Sequence, residues 1–266
     1  MRPQADQKRK ADERNKKIAY RLAILFGVLF FLDFIITIIF YTASDWLAVF
    51  VFSLLLIVPG YISNAGMVLV GGGKPIDSGH NFFDGRRIFG DHKTWKGFLL
   101  GPLLVGIPIC LGVFLLFFIL AFPIMQIPIE AIQEGEYRYY NHIYYYEYYF
   151  LGGPYYRYYA LGGFYGISVI IIRIFFAAYG AAFGDLVGSF LKRRINIKSG
   201  EPFWIIDQLD FAVFSLIFVC IPTLIFPDLF LLPDLNIVIF IFILTPSTSI
   251  IANTVAYYLN LKDVPW

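Results

Sequence analysis

The residues able to do chemistry in this chain form two clusters. In the first, Asp185, Ser189 and Lys192 recur at i, i+4 and i+7, so on a helix they share one face. Asp207 and Asp210, at i and i+3, share another face at the start of an apolar run, where free helical N–H groups favour anions. Carboxylates without imidazole or thiolate partners are hard oxygen donors suited to Mg²⁺ or Mn²⁺. Arg193 and Arg194 follow Lys192 directly. The second cluster opens with Gly71-Gly72-Gly73-Lys74-Pro75-Ile76-Asp77 and continues through Asp84, Arg86, Arg87, Asp91, Lys93, Thr94 and Lys96. Mg²⁺ is usually held by one or two carboxylates with substrate phosphates completing its shell, and arginines bind phosphate in a fork. Glycines, carboxylates and many cations therefore suit a polyphosphate beside a lipid headgroup. The same residues also have a plainer reading, in which the cations set membrane topology and the aspartates balance them. Asp84 and Asp91, each beside a glycine, suit turn chemistry as well.

The elements that must carry these clusters follow from composition. Of 266 residues, 59% are hydrophobic and 15% charged, with a mean hydropathy of +0.69. Soluble domains run near ~45–50% apolar and ~25% charged. The excess must face lipid, which excludes a soluble enzyme, a disordered chain and a disulfide scaffold. Cys110 and Cys220 sit in apolar runs, and His80, His92 and His142 lack partners at zinc spacing. A bilayer core of ~30 Å needs about 20 apolar residues. Six spans are predicted, roughly 20–41, 46–70, 97–122, 164–190, 208–227 and 235–259. The fold class is thus all-α and polytopic, with a cavity facing the cytoplasm. Pro59, Gly60 and Asn64 in the second span, and Gly180, Gly184 and Asp185 in the fourth, predict interruptions covered by protein. Gly180, Gly184 and Gly188 also form a stripe that permits close helix packing.

Charge sets the orientation. Lys and Arg number eight in 1–21, five in 71–96 and four in 191–206, with Lys262 in the tail. With the N-terminus inside, six spans put all four segments on the cytoplasmic side, leaving Arg138 and Arg157 outside. The first apolar run is too long for a signal sequence and no small-residue cleavage site follows, so it reads as an uncleaved anchor. The polar stretch before it reads as a solvated tail near anionic headgroups. Nothing in it suggests nucleic-acid binding. Residues 137–165 hold 13 of the 19 tyrosines, which suits a segment lying at the outer headgroup zone. Asp33 and Arg173 fall inside spans and read as a structural pair or as water-facing groups.

The motifs resemble the archaeal CDP-archaeol synthase family, CTP-dependent lipid cytidylyltransferases distantly related to the CDP-diacylglycerol synthases. The matching stretches are Pro59–Asn64, Gly72–Asp77, Asp84–Arg87, Lys93–Gly97, Gly184–Arg194, Asp207–Phe211 and the tail from Asn253 to Trp266. The family usually has five spans. By that resemblance residues 46–266 are the catalytic domain, 1–45 an added tail and helix, and about 123–163 a Tyr-rich insertion. The implied reaction joins CTP and 2,3-bis-O-(geranylgeranyl)glycerol 1-phosphate to give CDP-archaeol and pyrophosphate. The resemblance implies Mg²⁺ on Asp185, Asp207 and Asp210, and leaves open whether a second ion joins it. Lys192, Arg193 and Arg194 would hold the triphosphate or the lipid phosphate, with Ser189 as a hydrogen-bond donor. Lys93 and Lys96, flanking Thr94, would contact phosphate. Asn64, Asp77, Arg86 and Arg87 would shape the nucleotide or headgroup pocket. Membrane lipids are the expected surroundings, and a homo-oligomer is compatible with the sequence.

Two rival readings remain at this level. A prenyl transferase would need a second Asp-rich motif, which 71–96 does not supply, and a CDP-alcohol phosphotransferase would need a pattern from which Asp84–Phe89 departs. A transporter would place ionisable groups near the midplane on repeated halves. Here they collect at one face.

Overall fold

The computed structural model describes residues 2–124, 162–197, 201–227, 230 and 232–259. The Tyr-rich stretch and the last tail residues lie outside them, apart from the first residues of the helix that begins at Gly162. Every regular element among the described residues is helical. In chain order they are α1 (Arg2–Phe40), α2 (Ala43–Val70), α3 (Trp95–Gly101), a π-helical turn (Pro102–Gly106), α4 (Ile107–Ile124), α5 (Gly162–Arg194), α6 (Trp204–Ile225) and α7 (Leu235–Tyr258). Six stretches among these are long and apolar enough to cross a membrane, beginning at Glu13, Asp45, Trp95, Ser168, Trp204 and Leu235. The chain is a multi-pass membrane protein, as the composition requires.

The core lies where α2, α5, α6 and α7 meet. Leu56 and Ile57 of α2, Ala177 and Ala181 of α5, Phe211 and Leu216 of α6, and Phe240 and Ile241 of α7 pack together. Small residues let the backbones approach. A Cβ on Gly60 would lie 2.6 Å from Ser215 Oγ and 3.6 Å from Ala181, so the three-helix junction requires glycine. Ser215 satisfies its own hydroxyl by donating to the Ala177 carbonyl at 2.7 Å.

The expected interruptions of the second and fourth spans do not occur. α2 runs unbroken through Pro59, and α5 runs unbroken through its glycines. Neighbouring helices stabilise each run by packing, so the glycines become contact points rather than breaks. The irregularity falls instead in the third span, where the Ile107 N–H bonds the Pro102 carbonyl, five residues back. A Cβ on Gly101 would lie 2.7 Å from the Met67 backbone, and Gly106 packs on Ser63 of the same helix. One extra residue in the turn brings Gly106 back to the α2-facing side, where an α-helical i+5 position would turn away.

α1 is helical over 39 residues, about 58 Å, which exceeds the ~30 Å bilayer core. The polar tail is therefore a helical continuation of the first span. Its membrane half docks by aromatic contacts: Phe30 and Phe34 meet the Trp46 ring edge-on at centroid distances of 5.6 and 5.0 Å. Asp33 accepts a hydrogen bond from Trp46 Nε1 at 3.0 Å, which gives this intramembrane carboxylate its partner. Arg173 is buried on α5.

Candidate functional site

α5 and α6 form an antiparallel hairpin, the most extensive helix pairing among the described residues. Its register is legible in the glycine stripe. Gly180 faces Phe214, Gly184 faces Asp210 and Phe211, and Gly188 faces the Asp210 carboxylate. A turn further, Lys192 Nζ meets Asp207 Oδ2 at 2.7 Å. The hairpin thus carries Asp185, Asp207, Asp210 and Lys192 to one end. Asp210 is an electrostatic neighbour of Asp185, Asp207 and Lys93. Asp207 also accepts the Phe203 N–H at 2.9 Å, closing the first turn of α6. Just past the end of α5, Asn196 has a positive φ of 64°, which lets the Ile197 N–H reach back to the Lys192 carbonyl at 3.0 Å.

The loop between α2 and α3 covers this end. Its frame is Asp77, a side chain with no exposed surface that binds the Arg87 guanidinium through both oxygens, at 2.8 and 3.2 Å. The same carboxylate accepts the N–H groups of Phe89 and Gly90, both at 3.0 Å, and of Gly79 at 3.1 Å. Burial opposes its charge, but these donors outweigh burial and hold its carboxyl well below the usual carboxylate range. Arg87, paired to Asp77 and at 2.8 Å to Asp91, is held still more firmly in its charged form. Thr94 closes the loop. Its hydroxyl caps α3 by accepting the Gly97 N–H at 3.1 Å, and it accepts the Gly72 N–H at 3.3 Å. Gly72 and Gly73 have φ of 113° and 82°, a conformation suited to glycine.

Between loop and hairpin lies a cavity of about 400 Å³. Gly71–Gly73, Lys93, Thr94 and Asp185 give it a polar wall, and Met67, Val68, Phe98 and Leu186 give it an apolar one. Val68 is 82% exposed, so the apolar wall continues onto the exposed apolar surface at the end of α2. Lys93 Nζ reaches both oxygens of Asp185 at 2.7 and 2.6 Å, with both side chains about one-quarter exposed.

The structure sorts the predicted residues. Asn64, Lys93, Thr94 and Asp185 line the cavity. Asp207, Asp210 and Lys192 stand behind it on the hairpin, and Ser189 is buried on α5. Arg86, Arg87 and Arg194 are engaged by protein acceptors rather than by the cavity. Arg193 and Lys96 do not line it. Among the described residues, no three His, Cys, Asp or Glu side chains already stand as a metal-ligating group. Lysines instead hold Asp185 and Asp207. Asp91 and His92 do line the cavity, beyond the turn role given to Asp91. Their place immediately before Lys93 was the available signal.

Comparison with known proteins follows the same residues. The CarS-like, CDP-archaeol synthase family model matches residues 46–133 and 156–266. The CDP-archaeol synthase of Thermococcus onnurineus is 34% identical over 212 residues, covering 79% of this chain and 93% of its own. That of Archaeoglobus fulgidus is 34% identical, covering 79% and 94%, and that of Methanocaldococcus jannaschii is 33% identical, covering 80% and 96%. A solved structure of an intramembrane enzyme for archaeal membrane lipid biosynthesis aligns with a TM-score of 0.42 at 24% identity, covering 79% of this chain and 92% of that one. The matched ranges contain the glycine-rich loop, the Asp185 face and the D-x-x-D turn, and on that extent of agreement the chain belongs to the CDP-archaeol synthase family.

Proposed function

We propose that this chain transfers the cytidylyl group of CTP to the phosphate of 2,3-bis-O-(geranylgeranyl)glycerol 1-phosphate and releases pyrophosphate. The observation that carries the reading is the cavity. A glycine-rich backbone, Lys93 and the Asp185 it pairs with line a space of about 400 Å³, and Val68 on its apolar wall is exposed. A nucleotide triphosphate fits the polar wall, and a phospholipid with its tails in the bilayer can present its phosphate at the apolar side. The lipid phosphate attacks the α-phosphorus in line and pyrophosphate leaves. With a second pKa near ~6, the phosphate monoester is already ionised at neutral pH and needs no strong base. The work left to the protein is positioning and charge stabilisation.

Asp185, Asp207 and Asp210 are the residues that would hold Mg²⁺. The donor set fits, because all three supply hard oxygens, and the Asp210 carboxylate lies in a cradle that a Cβ on residue 188 would fill. Held there, Mg²⁺ would supply positive charge to offset that developing on the phosphate oxygens. Lys93 and Lys192, which neutralise Asp185 and Asp207 here, are positioned to transfer their charge to phosphate oxygens as substrate enters. Ser189, Arg193 and Lys96 are further candidates for contact with phosphate, and Asn64 with the nucleotide. The distribution of cations supports an orientation with both termini and the cavity on the cytoplasmic side. We assign 46–266 as the catalytic domain and 1–45 as an addition.

The test is pyrophosphate release by purified protein in detergent, with CTP, Mg²⁺ and the lipid phosphate. Turnover that needs all three supports the reading. Turnover with prenyl diphosphate instead, or solute uptake by proteoliposomes without nucleotide consumption, would replace it.

A further inference from the structure

The loop between α2 and α3 is tied to α5 at two places of unlike chemistry. One is the Lys93–Asp185 pair at the cavity. The other is Arg194, nine residues beyond Asp185 and about 180° round the helix at ~100° per residue. Two arginines cross there. Arg194 reaches into the loop. Its Nη1 pairs with Asp84 Oδ1 at 2.6 Å, and its Nη2 donates to the carbonyls of Arg86, at 3.3 Å, and of Arg87. Its guanidinium carbon lies 4.8 Å from the Phe82 ring centroid and 4.7 Å from that of Phe190, so a ring from the loop and a ring from α5 flank it. Arg86 reaches the other way and donates to the carbonyl of Arg193, at 3.4 Å, which also accepts the Asn196 N–H at 3.3 Å, and to that of Arg194 at the end of α5.

We propose that Arg194, with Arg86 and Asp84, is a clamp that straps the loop across the end of α5 and thereby sets where Lys93 stands in the cavity. Arg194 is a positioning residue and touches no substrate. Both terminal nitrogens of its guanidinium are taken by protein acceptors, its Nε is buried, its side chain is 17% exposed, and helical periodicity turns it away from the Asp185 face. The loop can transmit a displacement because it is one cross-braced unit. Arg87, which follows the clamped Arg86, is locked to Asp77. The Ile76 N–H donates to the Lys93 carbonyl at 2.8 Å, and Pro75 bridges to Thr94. Asp185 and Lys93 change partners as substrate arrives, whereas the clamp engages no cavity group and holds the register through the cycle.

The kinetic part of the test rests on the proposed reaction, and a proteolytic part does not. In the purified full chain, R194A lowers kcat by ~10²-fold, the scale of a misplacement of about 1 Å, and shifts KM for CTP and for lipid phosphate by less than about threefold. R194K keeps the charge but loses the planar fork and the ring stacking, and it does not rescue kcat. In a K93A background R194A adds nothing, because its effect runs through Lys93. Trypsin cuts after Arg86 and Arg87 slowly in the wild type and at least about tenfold faster in R194A, R194K and D84N, since local opening governs cleavage. D84N leaves the guanidinium in place and serves if R194A fails to fold. A tenfold rise in KM for either substrate, with kcat and tryptic protection unchanged, would make Arg194 a phosphate ligand and overturn the proposal. Additive losses in K93A/R194A, or full protection in every variant, would overturn it too. If the wild type consumes no CTP, the reaction is wrong and the tryptic comparison still decides the clamp.

Discussion

Gly188→Ala and Gly184→Ala differ by one turn of α5 and should fail in different ways. At residue 188 an added Cβ would lie 2.9 Å from Asp210 Cγ and would overlap the Oδ2 oxygen. Ordinary contact begins at 3.4 Å. The Cγ must therefore retreat by about 0.5 Å and the oxygen by more than about 1 Å, a displacement that costs ~10²-fold when it falls on a reacting constellation. The obstacle is the end of a side chain, so the helices need not part, and alanine gains about 1 kcal/mol of helix propensity over glycine. G188A should then melt in detergent at or above the wild-type temperature and lose about 99% of its CTP-dependent pyrophosphate release. At residue 184 the Cβ meets the Asp210 carbonyl carbon and Phe211 Cα, both at 2.8 Å. Backbone cannot rotate aside, so α5 and α6 must separate. Overpacking of about 1–3 kcal/mol outweighs the propensity gain, and G184A should melt lower. The assays are a thermal melt in detergent beside pyrophosphate release. Wild-type turnover in G188A would refute the claim that the seat of the Asp210 carboxylate matters, and an unchanged melt in G184A would refute the packing argument.

Four further outcomes are expected. Asp207→Asn and Asp210→Asn each abolish Mg²⁺-dependent turnover while the protein still inserts and purifies as a folded species; normal turnover in both would remove them from the metal site. Thr94→Ala removes the α3 cap and the acceptor for Gly72, costing about 1 kcal/mol and lowering kcat/KM, whereas Thr94→Ser keeps both functions; equal kinetics for the two variants would contradict this. Removing residues 1–40 spares turnover at a lower melting temperature. Removing 1–44 lowers the melt further, because it deletes Thr42, whose hydroxyl and backbone form a capping box with the buried Asp45; an inactive but folded 41–266 chain would show that α1 takes part in catalysis. Finally, Asp77 has a depressed folded pKa, so its contribution is fully present above the unfolded value of ~3.9 and is lost only as pH falls through the lower folded one. Hydrogen exchange in the loop should not change between pH 7 and about pH 4.5 once corrected for intrinsic rate, and loosening near pH 6 would mean another group holds it.

The sequence by itself determined the elements that carry the site. Its apolar runs fixed six spans, because twenty or so predominantly apolar residues have no stable place but lipid. Local periodicity placed Asp185, Ser189 and Lys192 on one face, and the glycine stripe anticipated the close approach of α5 and α6. Those features depend on neighbours within two helical turns, which a single sequence contains. The partners of the charges depend on something else. Lys93 meets Asp185 across 92 positions, and Arg194 meets Asp84 across 110. In sequence, Lys93, Lys192, Arg86, Arg87 and Arg194 are all cations in basic loops, and all five read as substrate-binding residues, the first two and Arg194 as phosphate contacts and Arg86 and Arg87 as shaping the pocket. Only the path of the loop over α5 separates the lysines paired with Asp185 and Asp207 from the arginines locked into the frame. The same holds for Asp33, whose partner is an indole N–H rather than another charge, and for the π-helical turn, whose extra residue answers to Ser63 on a different helix. Periodicity decides which way a side chain faces, and tertiary packing decides what it meets there.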